Sequence, residues 1–318
     1  MKSRWTESDA REAIERFGER YGEDLALRVH TSRLIGSDPD LVLHGGGNTS
    51  LKARRTTLLG DLVDVLFVKG SGTALDAVEP RDLPCLELEP LRRLRGLESL
   101  ADDELLNQLR SHLLDTSSPN PSVETLLHAF LPHRFVDHSH ADAVLALTNQ
   151  PEGEALVREA LGERVVVVPY IMPGLPLAKL VADAVERQPA AQGAVLLKHG
   201  LCSFAEEART CYELHIELVD LCEQYLARRV CGRSLLTARP GSATGGAPES
   251  RVAAAAPILR GLLAEETDDE DHPHRRWVME WRGSPAILDF CSSEEARELL
   301  QQGPLTPDHV IWTKALPL

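Results

Sequence analysis

Short apolar runs alternating with amphipathic stretches predict a layered α/β domain over roughly the first 230 residues, with a small extension behind it. Three observations carry this reading. Val63-Asp-Val-Leu-Phe-Val68 and Arg164-Val-Val-Val-Val-Pro169 have the length and β-branching of buried strands. Ala208, Cys211, Tyr212, His215, Leu218, Val219, Cys222 and Tyr225 recur at helical spacing and mark one apolar helix face. Finally, Arg239-Pro-Gly-Ser-Ala-Thr-Gly-Gly-Ala-Pro-Glu-Ser250 has the composition of a linker.

Taken in order, Thr6 caps a helix through Phe17, and residues 24–34 carry a second periodic stretch. Leu41-Val-Leu-His44 reads as a short strand running into Gly45-Gly-Gly-Asn-Thr-Ser50, and the strand at 63–68 ends in Lys69-Gly-Ser-Gly72. Residues 86–113 read as one charged helix. A helix opened by Asn120-Pro121 leads to a strand that ends in His138-Ser-His140. Helices at 152–161 and 177–187, strands at 164–169 and 194–198, and a helix at 206–229 complete the domain. Its expected limits are 1–235, with a linker at 236–250 and an α+β extension at 251–318 packed on the main domain. Within the extension we expect a helix at 251–264, a hairpin around Arg282-Gly-Ser-Pro285, a helix at 294–302 and a tail from Thr306 to Lys314.

A formal net charge of −15 argues against a nucleic-acid face and against binding to an anionic membrane. No apolar run approaches the ~20 residues of a membrane span. The first residues lack the apolar segment of a signal peptide, and the six cysteines form no Cys-x-x-Cys pair. Buried free thiols and a cytoplasmic location are expected.

The chemistry concentrates in a few motifs. His138 and His140 lie two apart on a strand, so their imidazoles share a face. His199 stands at the end of another apolar run, in Val-Leu-Leu-Lys-His199-Gly. Three neutral imidazoles leave a divalent metal its full charge and an open coordination position. Glu124, at a helix start where the helix dipole favours a carboxylate, is placed to act as acid/base beside such a metal. His272-Pro-His274 has the same spacing as the strand pair, but it follows the charged run 265–271 and reads as solvated. The loops His44-Gly-Gly-Gly-Asn48-Thr-Ser50 and Lys69-Gly-Ser71-Gly72 lack the spacing of a Walker or dinucleotide motif. Their glycines and hydroxyls suit one anion held from two sides. The other histidines, His128 and His309 among them, are assigned to packing or the surface.

In this order, the Gly-Asn-x-Ser loop, Gly-Ser-Gly turn, Pro-Ser-x-Glu helix start, His-x-His strand and late His-Gly resemble the class II aldolase/adducin family, over about residues 9–229. The Gly-Gly-Gly-Asn-Thr-Ser form and the segment Thr306-Pro-Asp-His-Val-Ile-x-Thr-Lys314 are more similar to the branch in which a rhamnulose-1-phosphate-aldolase-like domain precedes a short-chain dehydrogenase. The chain matches the aldolase half of that branch. The resemblance implies an αβα fold around a mixed sheet, with His138, His140 and His199 holding zinc or another divalent metal such as Mn2+ or Co2+, and Glu124 as acid/base. It implies that Gly47, Asn48, Ser71, Gly72 and Ser122 hold a substrate phosphate, and that the chain is a homo-oligomer, a tetramer for preference. One departure is Val123, which stands where those aldolases carry a second hydroxyl.

The expected function is therefore cleavage of a ketose 1-phosphate, or a related sugar, through a metal-stabilised enediolate. The alternatives are an epimerase, dehydratase or decarboxylase of the same chemistry, and a non-catalytic adducin-like scaffold.

Overall fold

The computed structural model describes residues 1–231, 233, 236–239 and 248–313. The helices α1 (Glu7–Tyr21) and α2 (Glu23–Gly36) come first, the Thr6 hydroxyl accepting from the Asp9 N–H at the start of α1. Strands β1 (Asn48–Thr56), β2 (Leu62–Val68) and β3 (Cys85–Glu87) follow, then α3 (Leu88–Arg93), α4 (Asp102–Ser111) and α5 (Thr125–Phe130). Beyond them lie β4 (Phe135–Ser139), α6 (Asp142–Thr148), α7 (Gly153–Leu161), β5 (Val165–Val168), α8 (Leu175–Arg187), β6 (Gly193–Leu196), β7 (Gly200–Ala205) and α9 (Ala208–Val230). A second stretch holds α10 (Pro248–Leu262), β8 (Glu265–Glu266), β9 (His274–Arg275), α11 (Pro285–Cys291) and α12 (Ala296–Leu299), and α13 (Pro307–Thr313) is last.

Seven strands form one mixed sheet in the order β3-β2-β1-β4-β7-β6-β5. All neighbours run antiparallel except β5 and β6, which α8 joins as the crossover that a parallel pair requires. Alternate residues feed opposite faces. Val166, Val168, Leu196 and Cys202 pack with Leu105, Leu126, Leu175 and Val181 from α4, α5 and α8. Val165, Val195 and Leu201 pack with Val144, Val157, Leu218 and Cys222 from α6, α7 and α9. Helices thus cover both faces, which gives the expected α/β layers with a central mixed sheet.

Residues 1–229 form one compact unit together with the described chain from Pro304 onward, and residues 230–303 form a second. The expected linker at 236–250 lies largely outside the described residues.

Four local expectations are corrected. Residues 41–44 are turns, since Leu41 and Val42 both bond back to the Asp38 carbonyl, and the polar stretch after them is the strand. Residues 86–113 are not one helix: Leu86 lies in the edge strand β3, and Gly96 and the residues after it separate α3 from α4. His199 does not end a strand but sits in a three-residue hairpin turn, Leu197 to His199, between β6 and β7. The hairpin expected at 282–285 is instead the start of α11, where the Ser284 hydroxyl accepts from the Ile287 N–H and Pro285 takes the first turn.

Candidate metal centre

The sheet brings the site together through its register. Asn48 on β1 faces His138 on β4, and Cys202 on β7 lies on His138's other side. His140 follows just past the end of β4, where its N–H donates to the Leu41 carbonyl. The hairpin turn carries His199 to the same place, with Lys198 at φ 60°. Gly200 leaves the space these rings need, since a Cβ there would lie 2.9 Å from His138 Cε1 and 3.2 Å from His140 Cδ2.

His138, His140 and His199 are buried, and their candidate ligand atoms lie within 4.8 Å of one another. The Nδ1–H of His138 donates to the Leu201 carbonyl at 3.0 Å, and the Nδ1–H of His140 donates to Asp308 Oδ1 at 2.8 Å. Both bonds leave Nε2 bare, and neither Nε2 has a hydrogen-bond partner. Burial pushes His138 well below the ordinary imidazole value, which keeps it neutral. Bare, buried, converging acceptors are costly unless something positive fills the space between them. The donor set therefore fits a divalent cation of the kind that prefers imidazole. Cys202 does not extend it. Its sulfur lies beside Nδ1 of His138, and burial raises its thiol well above the usual range, so it stays protonated.

Glu124 enters the cluster from the start of α5. Its carboxylate lies 3.1 Å from His199 Nε2 and 3.6 Å from His138 Nε2. Burial opposes its ionisation, but the fields of His138 and His199 outweigh burial and hold the carboxyl well below its ordinary range. The side chain is 8 % exposed, so it is not at the open helix start that the sequence suggests.

A chain of hydrogen bonds supports this carboxylate. Asn48 Nδ2 donates to Glu124 Oε2 at 2.5 Å, and the Asn48 carbonyl oxygen accepts from His128 Nε2–H. His128 Nδ1 in turn accepts from the Ser50 hydroxyl at 2.7 Å. Burial lowers His128 to about 3, so it holds this tautomer as a neutral ring. In the sequence His128 reads as a packing residue because nothing near it on α5 distinguishes it from a core residue.

The anion loops meet at the same corner. A Cβ on Gly45 would touch the Gly72 backbone at 3.4 Å, and Lys69 Nζ, buried beneath, donates to the Gly45 and Thr73 carbonyls at 2.5 and 2.9 Å. Gly47 (φ 61°) passes so close to His138 that a Cβ would lie 2.7 Å from its carbonyl oxygen. Ser71 N–H donates to the Asn120 carbonyl, which holds the exposed Ser71-Gly72 turn beside the Ser122 segment. The Ser122 hydroxyl lies 3.4 Å from the Asn48 amide nitrogen and accepts from the Glu124 N–H. Val123 is exposed. His272 is exposed beside Asp269, as its charged loop suggests.

A cavity of about 330 Å3 lies beside His199, lined by Tyr170, Met172, Lys198, Thr306 and Ile311 among others. The second unit holds a cavity of about 400 Å3 with mainly apolar walls, including Val252, Leu259, Met279 and Trp281. It lacks the converging polar groups that catalysis needs. Among the described residues no helix is long and apolar enough to cross a membrane.

Fold and site go together: the mixed sheet and its connections gather three buried histidines and a glutamate, a donor set that fits a divalent cation. The chain belongs to the class II aldolase family, as residues 27–226 match the model of the Class II Aldolase and Adducin N-terminal domain. Residues 250–318 match a second model, Aldolase class II, second domain. Members of this family are generally divalent-metal-dependent lyases. The chain is 34% identical over 294 residues to the "Uncharacterized oxidoreductase YuxG" of Bacillus subtilis (strain 168), a match that takes in 91% of this chain and 41% of that protein. It thus spans about two fifths of that relative's length. Among solved structures, it is 38% identical to the N-terminal class II aldolase domain of a conserved protein from Thermoplasma acidophilum, at a TM-score of 0.64, over 71% of this chain and 99% of that one. A sugar-phosphate aldolase from Thermotoga maritima shares the fold at 14% identity and a TM-score of 0.50, over 71% of this chain and 98% of that one.

Proposed function

We propose that this chain is a metal-dependent lyase that cleaves a ketose 1-phosphate, or a related sugar, by a retro-aldol reaction. The observation that carries the reading is the pair of bare, buried Nε2 atoms on His138 and His140, with His199 and the Glu124 carboxylate closing the same space. A divalent cation, zinc for preference, held by the three imidazoles would supply Lewis-acid stabilisation of charge on the substrate oxygens. The chain's own groups account for the remainder. Cleavage breaks the bond between C3 and C4 as the C4 hydroxyl gives its proton to the Glu124 carboxylate and becomes an aldehyde, and it is this proton that Glu124 then returns. The bonding pair stays with the three-carbon fragment, and Glu124 delivers a proton to its C3. Asn48, fixed by His128, aims the carboxylate at that carbon. The two glycine loops, with Ser71 and Ser122, anchor the phosphate above the buried Lys69.

The oxidoreductase name of the Bacillus relative belongs to a protein more than twice as long as the shared part, and the reading here concerns that part alone. Family membership also leaves room for an epimerase, dehydratase or decarboxylase, which would share the cation and differ in the product formed. We also place the protein in the cytoplasm as a homo-oligomer, in keeping with the family.

The test begins with the ligands. His138→Ala, His140→Ala and His199→Ala should each lose bound metal and aldol cleavage, while His272→Ala and His274→Ala should change neither. Full metal occupancy after loss of His140 would refute the assignment.

A further inference from the structure

The ring of His140 is oriented by a residue 168 positions away in the chain. Asp308 Oδ1 accepts from His140 Nδ1–H at 2.8 Å, and Oδ2 accepts from the Leu43 N–H at 2.8 Å. The side chain is only 2 % exposed. Gly46 is what admits it, because a Cβ at that position would lie 1.9 Å from Asp308 Oδ1. The segment around Asp308 is fastened at both ends. Asn149 Nδ2 donates to the Leu305 carbonyl at 2.9 Å, and the Trp312 ring lies 5.2 Å from that of His44. Thr306 caps the first turn, its hydroxyl accepting from the His309 N–H.

We infer that Asp308 is a positioning residue of the metal centre: it fixes the His140 tautomer with Nε2 bare and locks the ring angle, so the centre is complete only when the C-terminal segment is seated. The inference rests on the reading of His138, His140 and His199 as ligands. An imidazole that binds a cation through Nε2 must carry its proton on Nδ1, and a carboxylate acceptor both enforces this and makes the ring a better donor. His138 obtains the same tautomer from a sheet carbonyl, a weaker and neutral acceptor. The anionic partner is therefore supplied from outside the sheet. The third glycine-loop feature then has a cause: Gly45 meets the Gly72 turn, Gly47 meets the His138 backbone, and Gly46 receives the carboxylate.

The test uses the full chain in wild-type, Asp308→Ala and Asp308→Asn forms, titrated with Co2+ against a chromophoric chelator. Asp308→Ala should bind Co2+ about 10–100-fold more weakly, the usual effect of losing a ligand's carboxylate partner, and its visible absorption should shift. Asp308→Asn keeps one oxygen acceptor and should fall between the two; should the alanine variant fail to fold, the asparagine variant decides. In the metal-free wild type, imidazole 15N shifts should show His140 protonated at Nδ1, and in Asp308→Ala a mixture of tautomers. Wild-type affinity and spectrum in both variants would overturn the role of Asp308 while leaving the ligands standing. A wild-type chain that takes up no Co2+ would overturn the ligand reading and this inference together.

Discussion

Residues that serve the site fall into two groups, those whose type announces a role and those whose role depends on a neighbour. The three histidines belong to the first group because they stand at the ends of apolar runs, and Glu124 because it stands at a helix start. His128, Asp308 and Lys69 belong to the second. Their functions exist only through Asn48, His140 and the facing glycine loop, none of which is near them in sequence. Asn48 shows how the groups mix. Read from sequence as a phosphate donor, it has its amide on Glu124. Asn48→Ala should therefore lower kcat on phosphorylated and unphosphorylated sugars alike, because Glu124 loses its guide. Ser71→Ala removes an exposed hydroxyl with no such second duty, and should raise KM for the phosphorylated substrate alone. Steady-state kinetics on a matched pair of ketoses check both, and equal KM effects of Ser71→Ala on the two would remove phosphate from the account.

Elements follow from the sequence where periodicity is strong and fail where tertiary pairing decides. The helix spacing of α9 and the valine run of β5 survive almost unchanged. β1 was invisible because its first residues, Asn48-Thr-Ser, are polar, yet it lies inside the sheet between β2 and β4. Those side chains are buried because they bond to one another's neighbours, as Thr49 does with Ser32 at 2.7 Å, which no period-2 pattern of apolar residues can signal. The glycine loop ahead of β1 offers a test at this scale. Gly46→Ala should push the Asp308 carboxylate off its seat and weaken metal binding about as much as Asp308→Ala. Gly45→Ala makes only an ordinary contact and should be mild. If Gly46→Ala acts through Asp308, the double variant should be no worse than either single one; additive losses, measured by Co2+ titration, would show two separate effects.

At the scale of the molecule, the layered α/β architecture was legible because helices and strands alternate and each strand feeds both faces. Residues 251–318 read as one extension packed on the main domain; that the chain rejoins the first unit only from Pro304 was not legible, since Thr306-Pro-Asp-His reads locally as a helix start. The site inherits this organisation: strands supply His138 and Asn48, one hairpin turn supplies His199, a helix start supplies Glu124, and the final segment supplies Asp308. All serve one claim, that a cation at the three histidines and a proton carried by Glu124 together make and break a bond to the carbon beside a carbonyl. The most direct measurement is deuterium uptake from D2O into dihydroxyacetone phosphate, the three-carbon fragment of a ketose 1-phosphate, because it reports proton transfer without carbon–carbon chemistry. The zinc-loaded protein should exchange the proton, chelation should stop exchange and added zinc restore it, and Glu124→Gln should slow it by ~10²–10⁴-fold with metal content unchanged. Exchange that persists in the chelated protein, or at the wild-type rate in Glu124→Gln, would contradict the account.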